Sequence, residues 1–290
     1  MTEILSLPFM QRALLAALLV GLTAPSVGIY LVQRRQALMG DGIGHVALTG
    51  VAIGVLLGTA PVLTAVVVAA AGAVAIELVR ERGRTSGDVA LALLFYGGIA
   101  GGVLILSMAG GGSTQLVSYL FGSLTTVSSS DLAVMALLAA LVLAVTLGLG
   151  RHLFAVCQDE EFARVTGLPV RVLNLLLAVT AAVTVTVAMR VVGVLLVSAL
   201  MVVPVATAQQ VTRGFRSTAV AAMGLGVGYA LAGVVGSYYA DSPSGASIVV
   251  LAIGGFGVAA VVTALRGVRA RGTPAPAAED DLAISPGHAS

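Results

Sequence analysis

Asp41 and His45 are the residues whose types and spacing most directly suggest chemistry in this chain. They lie four residues apart, just after Arg34 and Arg35, at the start of a long apolar run. Side chains four residues apart on a helix share a face, with Cβ atoms about 5–6 Å from each other. A carboxylate oxygen and an imidazole nitrogen can therefore meet at one point, and both bind zinc or manganese. The pair predicts a site for a divalent metal ion.

Two other interpretations fit the same pair. A hydrogen bond from His45 to Asp41 can lock two membrane helices together without any ion. Alternatively, the carboxylate of Asp41 is hydrated at the cytoplasmic edge of the membrane, beside the arginines. Two strong ligands are fewer than the four of a structural zinc site, and such an incomplete set suits an ion that must leave again. Gly40, Gly42 and Gly44 leave room around the pair for an ion, water or a neighbouring helix.

The composition is that of a membrane protein. Of 290 residues, 58% are hydrophobic and 10% are charged, whereas soluble proteins average about 25% charged residues. Apolar runs of roughly 18 residues or more recur along the chain, which is typical of a polytopic all-α membrane protein. The net charge of +2, with arginines in short segments, does not indicate nucleic acid as a partner.

Several kinds of site are excluded by what the sequence lacks. The single cysteine, Cys157, rules out an internal disulfide and any site built from several cysteines, and three histidines are too few for a polyhistidine site. The chain has no lysine, so it carries no Walker A phosphate loop and does not bind a nucleotide by itself. The glycines at 224, 226 and 228 indicate close helix packing and not a dinucleotide fingerprint.

The hydropathy pattern predicts that residues 1–265 form one integral membrane domain. We expect membrane spans at 10–32, 36–57, 61–79, 88–108, 131–149, 172–189, 192–211, 218–239 and 248–265, and a short or re-entrant helix at 115–127. The arginine-rich segments between spans should face the cytoplasm, which gives eight or nine crossings and a cytoplasmic C-terminus, with Arg12 and Arg190 fitting less well. The first run is expected to be retained and not cleaved as a signal peptide. Residues 266–290 have the composition of a disordered cytoplasmic tail.

The longest hydrophilic stretch of this domain, at residues 151–171, contains a second candidate element. Residues 159–165 have the pattern of a short helix, with acidic residues at its start and Gly167 after its end. A short helix at the cytoplasmic face suits docking to a soluble partner. An ordinary surface loop is the alternative interpretation.

The stretch around Asp41 and His45 resembles the signature of the permease subunits of bacterial zinc/manganese/iron ABC importers. Three further stretches match that family in order, at 159–169, 192–208 and 241–246, so the resemblance covers roughly residues 10–265. Two departures flank the pair, because Gly44 replaces the usual serine and Thr49 replaces the usual proline. Neither replaces Asp41 or His45, so the departures bear on metal preference more than on function.

The resemblance implies the fold of a type II ABC importer, similar to that of the vitamin B12 importer, in a bacterial cell membrane. It implies a homodimer that binds a cytoplasmic ATPase subunit and receives metal from an extracytoplasmic binding protein. The chain would then be a transport subunit with no cofactor and no enzymatic activity of its own. Zinc is the favoured substrate here, with manganese or iron(II) as alternatives. An ion-coupled secondary carrier is a further alternative, although no internal repeat supports it.

Particular residues match the family's functional positions. Asp41 and His45 match the ligands of the metal pathway, and Asp241 lies in an outer loop where it would help to receive the ion or would cap a helix. The residues that match the helix coupling the permease to the ATPase are Asp159, Glu160, Glu161, Phe162, Ala163 and Gly167, in a coupling helix at about 159–167.

Overall fold

A computed structural model describes residues 7–81, 87–109, 119–122, 128–189, 191–194 and 196–271. Every regular element in this part of the chain is helical. The helices are α1 (Pro8–Gln33), α2 (Met39–Leu56), α3 (Pro61–Glu81), α4 (Gly87–Met108), α5 (Ser129–Gly148), α6 (Gly150–Gln158), α7 (Glu160–Val165), α8 (Val170–Ala188), α9 (Val197–Val211), α10 (Phe215–Tyr239) and α11 (Ser244–Arg271).

Eight of the described helices are long and apolar enough to cross a membrane, and α9 is a shorter apolar helix. The expected spans are therefore confirmed apart from the one placed at 192–211. The arginine-rich segments after α1, α3, α5 and α9 lie on one side of the membrane only if α9 also crosses it. The described helices then make nine crossings, within the expected range.

The start of the span placed at 192–211 is wrong, because α9 begins only at Val197. The preceding backbone leaves the helical path at Gly193, whose φ is +89°. The N–H of Val194 donates to the carbonyl of Tyr119 at 3.0 Å, and a Cβ at Gly193 would lie 2.3 Å from the carbonyl oxygen of Leu120. The break therefore packs against the 119–122 segment, which supplies the polar contacts that a bent backbone needs inside a membrane.

Two other expectations fall partly outside the described residues. The helix placed at 115–127 is described only at 119–122, where the backbone covers the break before α9. Helix α11 continues to Arg271, beyond the boundary placed at residue 265, and the rest of the expected tail lies outside the described residues.

Helix α2 lies inside the bundle, in contact with α3, α4, α8 and α9. Glycines bring the helix backbones together: a Cβ at Gly98 of α4 would lie 2.6 Å from the carbonyl carbon of His45, and a Cβ at Gly50 would lie 2.6 Å from the Cα of Ala65. Small residues at such contacts are how membrane helices approach closely. These contacts fix the position of α2 and of the side chains that it carries.

The glycines at 224, 226 and 228 behave as expected only in part. A Cβ at Gly226 would lie 2.5 Å from the carbonyl oxygen of Gly21, so α10 does approach α1 there. At Gly224 and Gly228 a Cβ would meet nothing within 4 Å. Two of the three glycines therefore face open space on the outer surface of the helix.

Gly98→Ala should destabilise the protein, because the added methyl would collide with the backbone of α2. We expect a loss of about 1–3 kcal/mol, measured as a lower thermal unfolding temperature in detergent. Gly97→Ala is the matched control, since a Cβ at Gly97 would meet nothing within 4 Å, and its stability should stay equal or rise slightly. Equal unfolding temperatures for the two variants would show that α2 and α4 are not in backbone contact.

Candidate metal site

Asp41 and His45 lie one turn apart near the start of α2. Asp41 is in the first helical turn, where the helix dipole favours a negative charge. The side chain of Asp41 is half-buried, whereas only 3% of His45 is exposed. The structure thus places a carboxylate at the rim of the bundle interior and an imidazole inside it.

Ser198, in the first turn of α9, reaches Asp41 across the bundle. Its hydroxyl donates a hydrogen bond to Oδ1 of Asp41. The two helices can come this close because Gly40 has no side chain, and a Cβ there would lie 3.1 Å from the Cβ of Ser198. The sequence contains Ser198 within a matching stretch, but sequence reasoning gave it no role. The two residues are 157 positions apart, so no spacing rule connects them.

His45 has an apolar surrounding that leaves one of its nitrogens unused. The ring of Phe95 meets the imidazole edge-on, with centroids 4.3 Å apart and an interplanar angle of 80°. Nδ1 of His45 is buried and has no hydrogen-bond partner. A buried polar atom without a partner costs roughly 1–3 kcal/mol. The arrangement therefore leaves a nitrogen available for a ligand, and Nδ1 makes no hydrogen bond to Asp41.

The site has three candidate donors: the carboxylate of Asp41, the imidazole of His45 and the hydroxyl of Ser198. Across the described residues, no three His, Cys, Asp or Glu side chains come together in a metal-binding group. A metal ion at this place would thus need water or backbone oxygens to complete its shell, as expected for weak and reversible binding.

The two departures from the family signature have local packing reasons. A Cβ at Gly44 would lie 3.2 Å from Cγ1 of Val194 and 3.4 Å from its carbonyl oxygen, so a serine would crowd the break before α9. The hydroxyl of Thr49 donates to the carbonyl of Gly98 at 2.7 Å, which ties α2 to α4. Both residues support the packing around the site and lie outside its donor set.

Asp241 occupies the turn between α10 and α11. Its φ is +46°, and the next N–H, that of Ser242, donates to the carbonyl of Ser237 at 3.1 Å. This is the backbone pattern that ends a helix at a left-handed residue, a place where Asp and Asn are tolerated better than most residues. Asp241 therefore has a structural role at the end of α10, and its exposed side chain remains only a candidate for contact with an ion.

The expected short helix at the cytoplasmic face is α7. Asp159 caps it by accepting a hydrogen bond from the N–H of Phe162 at 2.9 Å, and Gly167 ends it with a φ of +83°. Ala163 is buried against the bundle, while Phe162 is 65% and Val165 is 86% exposed. This short helix therefore presents apolar side chains away from the bundle.

Glu160 joins this helix to the membrane helices. Its carboxylate accepts from Arg34 at 3.3 Å, from Arg164 at 3.4 Å and from Nδ2 of Asn174 in α8 at 3.3 Å. The side chain of Arg34 is 7% exposed and that of Glu160 is 40% exposed, so the arginine end of this ion pair is buried and the carboxylate end is open to water. Arg34 belongs to the turn that leads into α2, so this ion pair connects α7 to the start of α2.

Residues 150–158 were not expected to be helical, and the structure corrects this. Helix α6 buries Leu153 and Val156, which are three positions apart, and leaves its polar face outside. Its Cys157 donates to the carbonyl of Tyr30 at a sulfur–oxygen distance of 3.8 Å. Burial raises the pKa of the Cys157 thiol to about 11, so it stays protonated at neutral pH and is unsuited to bind a metal.

The chain matches a known protein family. The sequence profile of the ABC 3 transport family matches residues 6–263. The chain belongs to this family. It is 34% identical over 269 residues to the manganese transport system membrane protein MntC of Halalkalibacterium halodurans, covering 93% of this chain and 92% of that protein.

Two further similarities agree with this assignment. The chelated iron transport system membrane protein YfeD of Yersinia pestis is 31% identical over 271 residues, covering 93% of this chain and 91% of YfeD. The structure of PsaBC from Streptococcus pneumoniae in complex with Fab matches with a TM-score of 0.82 and 28% identity, over 89% of this chain and 93% of that one. This chain is therefore a multi-pass bacterial membrane protein with the fold of an ABC importer permease.

His45→Leu should stabilise the metal-free protein by about 1–3 kcal/mol, because it removes a buried nitrogen that has no partner. The measurement is the thermal unfolding temperature in detergent with a chelator present. Thr184→Val is the control and should lower the unfolding temperature, because the buried hydroxyl of Thr184 does have a partner: it donates to the carbonyl of Thr180 at 2.8 Å. If His45→Leu lowered the unfolding temperature as much as the control, the imidazole would be a satisfied structural group.

Proposed function

We propose that this chain is the permease subunit of an ATP-driven importer of divalent transition-metal ions. Asp41, His45 and Ser198 form its ion-binding station within the membrane. The observation that carries this proposal is the unpartnered Nδ1 of His45, buried one turn from a carboxylate whose position is fixed by a serine of another helix. Placing an ionisable pair inside a membrane costs free energy, and binding of a transported ion explains why this pair is present.

Manganese(II) is the substrate that the donor set favours. Two of the three candidate donors are oxygens and none is a sulfur, and oxygen donors suit manganese better than thiolate-seeking metals. The relatives described above carry names for manganese and iron transport. Zinc, which the sequence favoured through its imidazole–carboxylate pair, remains the competing substrate, and a direct comparison of uptake decides between them.

Energy for uptake comes from a separate ATPase subunit, because the chain has no lysine and hence no Walker A loop. Its partners are that cytoplasmic ATPase, a second copy of this chain and an extracytoplasmic metal-binding protein. The resemblance to the family supports this set of partners. An ion-coupled secondary carrier would transport without ATP, so ATP dependence in vesicles separates the two mechanisms.

Helix α7 serves as the coupling helix. Phe162 and Val165 project from it and offer an apolar contact to the ATPase, while Glu160 holds it to Arg34 at the turn before α2. Movement of the ATPase would then reach the ion-binding station through one short helix and the Arg34–Glu160 ion pair. In this proposal the exposed side chains of α7 attach the ATPase, and Glu160 transmits its movement to the start of α2.

Asp41→Ala and His45→Ala should each abolish metal uptake while leaving the protein in the membrane, because each removes a strong ligand. Ser198→Ala should raise the metal concentration needed for half-maximal uptake by about ten-fold, since it only orients Asp41 or adds a weak ligand. Uptake of labelled Mn²⁺ and Zn²⁺ by vesicles with the complete transporter measures both effects.

Ser237→Ala is the matched control for Ser198→Ala. The hydroxyl of Ser237 is buried but donates only to the carbonyl of Val234 in its own helix, at 2.9 Å. Uptake by this variant should equal that of the unaltered protein. Full uptake by both Asp41→Ala and His45→Ala would refute the ligand assignment without touching the family assignment.

Phe162→Ser and Glu160→Gln should fail in different ways. Phe162→Ser removes an apolar contact and should reduce the amount of ATPase that copurifies, whereas Glu160→Gln should keep the ATPase bound but uncouple its hydrolysis from uptake. The reason for the second effect is that Arg34 loses a charged partner while the surface of α7 stays intact. Copurification and the ratio of metal taken up to ATP hydrolysed measure the two effects, and unchanged values in both variants would contradict the coupling role.

A further inference from the structure

A cavity of about 870 Å³ lies at the cytoplasmic ends of α5 and α10. Helix α1 packs against both of these helices, and its Tyr30 contributes to the cavity wall. The rings of Tyr30, Phe215 and Phe154 form a continuous aromatic wall, with centroid distances of 5.5 Å and 4.5 Å between successive rings. The cavity thus lies at the level where the membrane interior meets the cytoplasm.

One part of the cavity faces the bilayer. Leu147 of α5 and Val220 of α10 line it and are 63% and 66% exposed in the single chain. Both belong to helices that cross the membrane and turn most of their surface outward. An acyl chain can therefore enter the groove from the side, between α5 and α10.

The other part is cationic. Arg151 at the start of α6 and Arg216 at the start of α10 line the cavity and are exposed, and no acidic side chain of the described residues lines it. Within the described part of the chain, neither arginine takes part in an ion pair, whereas Arg34, Arg80, Arg164 and Arg171 all do. Two unneutralised cations therefore sit where lipid phosphates lie.

We propose that this groove binds an anionic phospholipid, with its phosphate between Arg151 and Arg216 and an acyl chain against Leu147 and Val220. Basic pockets between membrane helices on the cytoplasmic side are suited to anionic headgroups. A second copy of the chain is a poorer occupant, because a two-fold contact through the groove would bring like-charged arginines together near the axis. This inference goes beyond metal transport and needs only the membrane setting of the chain.

The test uses the full-length chain in detergent, with phosphatidylglycerol as the added lipid and native mass spectrometry as the readout. The double variant Arg151→Gln/Arg216→Gln should bind phosphatidylglycerol more than about ten-fold less tightly, since each arginine placed beside the bound phosphate adds roughly five-fold in affinity. The control, Arg213→Gln/Arg266→Gln, removes the same charge from the cytoplasmic side outside the groove and should leave affinity unchanged. Equal affinity of the double variant and the control would overturn the proposal.

A second variant tests the apolar part without removing charge. Gly148 lines the groove, and a Cβ there would meet nothing within 4 Å, so Gly148→Phe should fill the space and lower phosphatidylglycerol binding. Gly254→Phe, on α11, also adds a ring at an open position and should not lower it.

Two further results would exclude lipid as the occupant. One is displacement of phosphatidylglycerol by inorganic phosphate at equal concentration, because this would show that only the anion is recognised. The other is a disulfide between two copies through Val220→Cys in a Cys157→Ser background, since Cys157 is the only native cysteine. That disulfide would assign the groove to a contact between copies.

Discussion

The contact between the backbone of α2 and the backbones of its neighbours is the constraint on which the site depends. A Cβ at Gly98 would lie 2.6 Å from the carbonyl carbon of His45, and a Cβ at Gly40 would lie 3.1 Å from the Cβ of Ser198. His45 is only 3% exposed in this packing, so its Nδ1 is kept from water, and the close approach at Gly40 brings Ser198 within hydrogen-bond reach of Asp41. The packing of apolar and glycine residues thus imposes the positions of the polar ones.

The break before α9 supplies the other half of this arrangement. Its polar backbone groups find partners from two directions, since Val194 donates to the carbonyl of Tyr119 and the carbonyl of Val191 accepts from the hydroxyl of Ser244 at 2.9 Å. Irregular backbone is tolerated at membrane depth only when protein covers it in this way. Because the helix restarts at Val197, Ser198 falls in its first turn and faces Asp41.

Much of this could be predicted from sequence because it depends on local patterns. Hydropathy located the long helices, and helix periodicity placed Asp41 and His45 one turn apart. The acidic residues at the start of 159–165 and the stop at Gly167 indicated α7. The role of Ser198 could not be predicted, because its partner Asp41 is 157 residues away in the sequence and a single serine does not change the hydropathy pattern.

Two features of the fold, the break before α9 and helix α6, were not predicted from the sequence for the same reason. The sequence around Gly193 is as apolar as a helix, so only the φ of +89° reveals the break. Helix α6 was missed because its buried residues, Leu153 and Val156, are too few to stand out within a hydrophilic stretch. In both cases the deciding information lies in tertiary contacts, which local patterns do not carry.

In the proposed site, the transported metal ion binds directly to the nitrogen of His45 beside Asp41. Pulsed electron paramagnetic resonance of Mn²⁺ bound to the complete transporter, labelled with ¹⁵N-histidine, tests this directly. We expect hyperfine coupling from one histidine nitrogen per ion, lost in His45→Ala and kept in a variant that replaces His152. Tightly bound Mn²⁺ without any histidine coupling would contradict it.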